Sequence, residues 1–224
     1  MKSIVFFVMF LISSNFALSQ LLNIPRLGNE VMRENKYVDY VGSPYLYPSW
    51  KPGIITDKTG KTYDNQQLKY NSYKDQVEIN QEGNQIVLNS SLYYKFVFIL
   101  IDENSNKTMH RVFQSGYKID NYTEKDYFEV LYDGSVKFLK KVKTEFMEEN
   151  VNSYGSGGQI KRFLTKERYF IINRAGVASE LRINKKSLIE AMGDDKESVA
   201  RYIENNKVKV KSEIDILFIL RQLN

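Results

Sequence analysis

Between Gly53 and Ile183 apolar and polar residues alternate mostly with a period of two, the pattern of strands with one face against a core and one against water. Leu68 and Tyr70, then Val77 and Ile79, stand in such alternation, and Glu82-Gly83-Asn84 turns the chain into QIVLN. The run Phe96 to Ile101, FVFILI, is apolar at every position, which predicts a strand buried on both faces at the centre of the core. YFEVLYDGSVKFLKKVKTEF places Asp133-Gly134 between two alternating segments and predicts a tight hairpin. After that turn Val136, Phe138 and Val142 share one face, predicted as core, while Lys137, Lys141 and Lys143 share the other, predicted as solvated. SYGSGG, residues 153–158, reads as a mobile connection to a further pair of strands, QIKRFLT and ERYFIIN. The sum is about ten short antiparallel strands in a sandwich, a curled sheet or a partial barrel.

The period changes at both ends. Leu27, Val31 and Met32 share one face of a predicted short helix before the strands begin. Beyond Ile183, Asn184 is placed to cap a helix through Met192, and Asp194 with Glu197 resembles a capping box before Val199, Tyr202 and Ile203. A last helix starts at Ser212 and carries Ile216, Leu217, Leu220 and Leu223 on one stripe. The expected class is therefore α+β, mostly antiparallel β with a C-terminal helical unit.

The first residues, MKSIVFFVMFLISSNFALSQ, combine one lysine, a short apolar run and small residues, the layout of a secretory signal cut between Ser19 and Gln20. That divides the chain into a signal peptide (1–19), a β-rich domain with an N-terminal arm (20–183) and a docked helical unit (184–224). No later stretch reaches the roughly 20 apolar residues a helical membrane crossing needs. The expected location is periplasmic or extracellular. With no cysteine, export brings no disulfides and no thiolate chemistry. The net charge of +5 becomes +4 once Lys2 is removed (+5 − 1), too mild to argue for nucleic acid.

Candidate chemistry is sparse. His110 is the single histidine, so no multi-histidine metal site is expected, and a triad would have to recruit Ser115 and Asp102 without any geometric reason to converge. Carboxylates alone suffice for glycosidic hydrolysis, and Glu148-Glu149, Asp194-Asp195 and Asp126 with Glu129 are the visible pairs. Capping and solvation explain them more simply. Lys137, Lys141 and Lys143 form a possible anion patch, for which a solvated strand face is the plainer account. The most distinctive stretch is GSPYLYPSWKPG, residues 42–53, with three of the four prolines and the only tryptophan. Proline holds it stiff and extended, so Tyr45, Tyr47 and Trp50 are either a binding surface or packing for the N-terminal arm.

GSPYLYPSWKPG, TGKTYDNQQLKYN, YFEVLYDGSVKFLKK and SLIEAMGDDKESVARYIENNKVKVKSEIDIL together resemble exported envelope proteins of Bacteroidota-type Gram-negative bacteria. The resemblance implies an envelope or periplasmic setting and supplies no activity, cofactor or catalytic residue. The leading expectation is a non-enzymatic exported protein that binds another envelope component, whether protein, glycan or lipid, without a cofactor or metal. Two alternatives differ in class. A periplasmic carrier of an apolar ligand requires a roomy cavity lined by residues such as Phe96, Phe98 and Phe128, and a carboxylate hydrolase requires two acids about 5–10 Å apart across an open cleft.

Overall fold

The computed structural model describes residues 30–31, 40–153 and 156–222, so residues 1–19, which the sequence reading expects to be a signal, lie outside the described residues. Strands β2 (Lys51–Asp57), β3 (Thr62–Asn71), β4 (Gln76–Gln81) and β5 (Asn84–Val87) form one meander, with the two-residue β1 (Glu30–Val31) beside β5. β6 (Tyr93–Asp102) returns to pair with β2. β7 (Lys107–Gln114), β8 (Phe128–Asp133), β9 (Lys137–Ser153), β10 (Ser156–Ile172) and β11 (Ala178–Leu181) follow outward in chain order. All belong to one antiparallel, eleven-stranded sheet, and its outermost strands β1 and β11 do not pair with each other. The mostly antiparallel reading holds.

The sheet bends sharply around its first half. β3 and β7 lie three ladder steps apart, about 14 Å in a flat sheet, yet the rings of Tyr70 and Phe113 meet at 5.3 Å. Tyr70, Phe96, Phe98, Phe113 and Tyr127 pack edge-on or stacked inside this bend, with Phe96 and Phe113 parallel at 4.8 Å. The link from β5 to β6 is a compact turn, residues 88–92, in which Leu92 and Tyr93 both donate to the Asn89 carbonyl. Such a turn joins strands four steps apart because curvature brings them together.

The second half of the sheet is covered on both faces. Phe138, Ile171 and Leu181 lie under helices α1 (Lys185–Ala191), α2 (Lys196–Asn205) and α3 (Glu213–Gln222), packed against Leu188, Val199, Ile203, Ile216 and Ile219. Leu139 and Phe170, their strand neighbours, point to the reverse face and with Phe128 are covered by Tyr117, Ile119 and Tyr122 from the β7–β8 connection. Burying each such apolar side chain contributes about 1.5–3 kcal/mol, so the helical part is held first by apolar contact.

Several local expectations are corrected. FVFILI occupies a central strand, but only Phe96 and Phe98 are fully buried and Ile101 is 66% exposed, because the bend encloses one face. Asp133-Gly134 does not make a two-residue turn. Asp133 pairs with Lys137 across a three-residue link, Gly134–Val136, because Val136 is drawn into the core under the helices. The two-residue turn with both φ values positive is Glu82-Gly83 instead. β9 and β10 pair continuously from Lys137 with Ile172 to Ser153 with Ser156, so Ser153 and Ser156–Gly158 belong to the end of one long ribbon rather than linking two hairpins. Val31 pairs with Ile86 as strand, while Leu27, Met32 and Leu223 lie outside the described residues. Asn184 caps α1 by accepting the Ser187 N–H, and Ser212 with Asp215 caps α3 reciprocally. The Asp194–Glu197 box is absent; a 3-10 turn, Gly193–Asp195, leads into α2 without a side-chain cap.

Gly53 is the glycine the bend depends on. A Cβ there would sit 2.3 Å from the Val97 carbonyl oxygen and 2.5 Å from Leu68 Cδ1. Gly53→Ala is expected to lower stability by about 3 kcal/mol through overpacking, read as a lower urea midpoint with unchanged slope.

Candidate functional site

The proline-rich stretch is a strap across the sheet. Val41 exchanges hydrogen bonds with β10, donating to the Lys161 carbonyl and accepting from the Phe163 N–H, and Leu46 donates to the Tyr70 carbonyl of β3. Pro44 is buried, and its carbonyl accepts from the Tyr73 N–H and the Ser72 hydroxyl. Tyr45 and Trp50 flank the Lys69 ammonium, at 5.0 and 4.8 Å from their ring centres, and the Tyr45 hydroxyl donates to buried Glu78. Burial holds the Glu78 carboxyl above its ordinary value despite donors from Gln85 and Tyr45. Tyr47 packs edge-on against Phe98 and accepts from Arg111 at 2.5 Å. The three aromatics that sequence singled out are therefore half-buried and engaged with this chain's own cations.

Tyr47 leads into a charged row that crosses four strands. Arg111 on β7 makes two 2.7 Å contacts to the Glu129 carboxylate on β8. Lys140, directly opposite Glu129 on β9, reaches Glu129 and Glu213 of α3 at 3.1 Å each and Glu167 of β10 at 3.7 Å. The Tyr169 hydroxyl meets Glu167 and Glu213 at 2.8 Å. Burial opposes the charge on Glu129, but Arg111 and Lys140 outweigh it and hold its carboxyl below the ordinary value of 4.5. The row lies on the sheet face shared by the bent core and the helices, and it ties α3 to the strands.

Lys141, one residue on, points to the other face and is 1% exposed. Its ammonium reaches Asp75 at 2.7 Å, Asp126 at 3.2 Å and the Tyr127 carbonyl at 3.0 Å. Asp75 also accepts from the Tyr70 hydroxyl and the Tyr127 N–H. Burial keeps the Asp75 carboxyl above its ordinary value even so, whereas Thr123 donors and Lys141 hold Asp126 below.

The expected anion patch is thus taken apart. Lys141 is buried against two carboxylates, Lys137 pairs with Asp133, and Lys143 donates to the Tyr73 carbonyl. The face predicted as solvated carries Leu139 and Lys141 beneath the β7–β8 connection, and the face predicted as apolar carries buried Lys140. Alternation showed which side chains share a face and could not show that both faces would be covered. The carboxylate pairs are spent on cations as well: Glu148 on Lys161, Glu149 on Arg162, Asp195 on Arg174. His110 is exposed, Ser115 is buried on the Tyr94 carbonyl, and Asp102 accepts from the Asn104 and Ser105 N–H groups, with no hydrogen bond joining the three. Phe96 and Phe98 are packed rings in the bent core, while Phe128 lies on the reverse face of β8, so the three line no common cavity.

A feature the sequence reading missed is made of backbone. β9 and β10 are 17 residues each, about 55 Å, whereas β8 pairs with β9 only as far as Lys140 and β11 pairs with β10 only from Tyr169. The Thr144 N–H points away from β10 and donates to the Ser72 carbonyl. By the two-residue repeat, Phe146 also presents its N–H and C=O groups outward, and among the described residues no strand accepts them. Met147 and Leu164, 37% and 38% exposed, flank this stretch. The glycine-rich SYGSGG was the only available signal, and its reading as a linker concealed the ribbon.

Compared with protein-family models, with curated proteins and with solved structures, the chain matches none. What its own geometry defines is an open, bent antiparallel sheet with a helical C-terminal part and a projecting ribbon. No described helix is long and apolar enough to cross a membrane.

Glu129→Gln removes the carboxylate shared by Arg111 and Lys140. It is expected to lower stability at neutral pH by about 3 kcal/mol, the usual cost of breaking a buried ion pair on one side. Because the folded-state carboxyl titrates below 4.5, its contribution is complete above that value and is lost as pH falls through the folded value. Urea titrations at a series of pH values should show the deficit of Glu129→Gln shrinking as the pH falls below 4.5.

Proposed function

We propose that the protein is a non-enzymatic, exported binding protein of the cell envelope, and that it engages another protein by adding that protein's extended strand to the outward edge of β9. The observation that carries this reading is the ribbon itself. A long edge with outward N–H and C=O groups is a template for strand addition, which natural proteins otherwise cover or blunt. Here the β10 side is covered by the strap at Val41, while beyond β8 the described residues pair the β9 side at Thr144. Cross-strand ion pairs Lys161–Glu148, Arg162–Glu149 and Lys166–Glu145 brace the ribbon, so a partner meets a preorganised edge. Export rests on the N-terminal layout and on the resemblance to exported envelope proteins. The packed aromatic core favours this reading over an apolar-ligand carrier, and the paired carboxylates favour it over a hydrolase.

A photo-crosslinking residue in place of Met147, introduced in the native cells, is expected to yield one discrete protein adduct in the envelope fraction. N-methylphenylalanine in place of Phe146 removes an outward N–H while keeping the side chain, so protein carrying it should fail to capture the crosslinked partner with unchanged melting temperature. Equal capture by that variant, or no adduct at all, contradicts strand addition at this edge.

A further inference from the structure

Helix α3, EIDILFILRQ, carries apolar residues around its whole circumference, the pattern of a helix buried on every side. Here one side is left in water. Ile216, Ile219 and Leu220 pack in the core beneath the helices, whereas Ile214 and Phe218, one turn apart, are 75% and 51% exposed. Arg221 follows a turn later on the same outward face and is exposed. Just before the helix, KVKVK, residues 207–211, packs Val208 and Val210 into that core and leaves Lys207, Lys209 and Lys211 exposed.

The charges around this face do not cancel. Both acids of α3 are engaged, Glu213 with Lys140 and the Tyr169 hydroxyl, and Asp215 with the N–H groups of Lys211 and Ser212. Among the described residues, Lys207, Lys209 and Arg221 form no ion pair. We propose that this side of α3 docks on an anionic lipid surface, with Ile214 and Phe218 entering the acyl boundary and the surrounding cations facing the head groups. Two copies of the chain meeting here would set like charges against each other. A protein partner is disfavoured by area. Even a large aromatic buries only about 150–250 Å², so two side chains fall far short of the roughly 800 Å² per partner in a stable protein interface. A lipid surface needs no matching shape, and apolar side chains on one helix face with Lys or Arg beside them are what hold interfacial helices on acidic membranes. Docking of this kind is peripheral and does not depend on the β9 edge.

Flotation of the purified protein with phosphatidylcholine vesicles, with and without about one-third phosphatidylglycerol, tests the proposal. The protein should float with the anionic vesicles, at least about ten-fold more weakly with the neutral ones, and less as salt is raised to about 0.5 M. Ile214→Ser and Phe218→Ser should each weaken flotation about five-fold or more, with little change in melting temperature because both side chains are exposed. Lys209→Gln combined with Arg221→Gln should weaken it about ten-fold. Lys118→Gln combined with Lys125→Gln removes the same charge from exposed positions of the β7–β8 connection and should leave flotation intact, which separates docking at α3 from attraction by net charge. No flotation, equal flotation with both vesicles, unchanged flotation of both serine variants, or equal loss in the two double variants overturns the assignment. So does a dimer in solution that Phe218→Ser dissociates, which gives this face to a second copy.

Discussion

Lys140 and Lys141 are consecutive residues on one strand, both nearly excluded from solvent, and consecutive strand residues point to opposite faces. Two ammonium groups are therefore buried back to back, and each needs counter-charges on its own side. On one face Lys140 is met by Glu129, Glu167 and Glu213, drawn from two strands and a helix. On the other Lys141 is met by Asp75 and Asp126, drawn from the β3–β4 turn and the β7–β8 connection. An isolated buried charge costs several kcal/mol, so neither lysine is tolerable unless those distant segments are in place. Apolar burial supplies the driving force, and the two lysines specify which segments cover which face.

That constraint orders the rest of the molecule. The bend brings the β3–β4 turn across to β9, where Ser72 accepts from Thr144 and Asp75 reaches Lys141. The helical part is oriented by Glu213 at the start of α3 as well as by its apolar stripe. Past Thr144 β9 and β10 run on as a ribbon braced by cross-strand ion pairs.

Much of the secondary structure was legible in the sequence. The alternation of Leu68, Tyr70, Val77 and Ile79 gave β3 and β4, and the Asn184 and Ser212 caps marked two helices, because these depend on local spacing and local hydrogen bonds. What was not legible depends on distant partners. FVFILI reads as buried on both faces because its composition cannot reveal which face a curved sheet encloses. Lys137, Lys141 and Lys143 read as a solvated row because a lysine's counter-charges, 15 and 66 residues away for Lys141, leave no mark in its own neighbourhood. Tyr45, Tyr47 and Trp50 were correctly singled out as distinctive, but their engagement with Lys69 and Arg111 is a property of the folded sheet. The β9 edge carries no side-chain signature at all.

Each lysine holds the layer on its own face. Hydrogen exchange followed by mass spectrometry on Lys140→Met and Lys141→Met tests it directly. Lys140→Met should speed exchange chiefly in α1 to α3 and leave the β3–β4 turn protected. Lys141→Met should do the reverse, loosening residues 72–75 and 115–127 while the helices stay protected. Identical exchange maps for the two variants, whether loosened everywhere or unchanged, would contradict it.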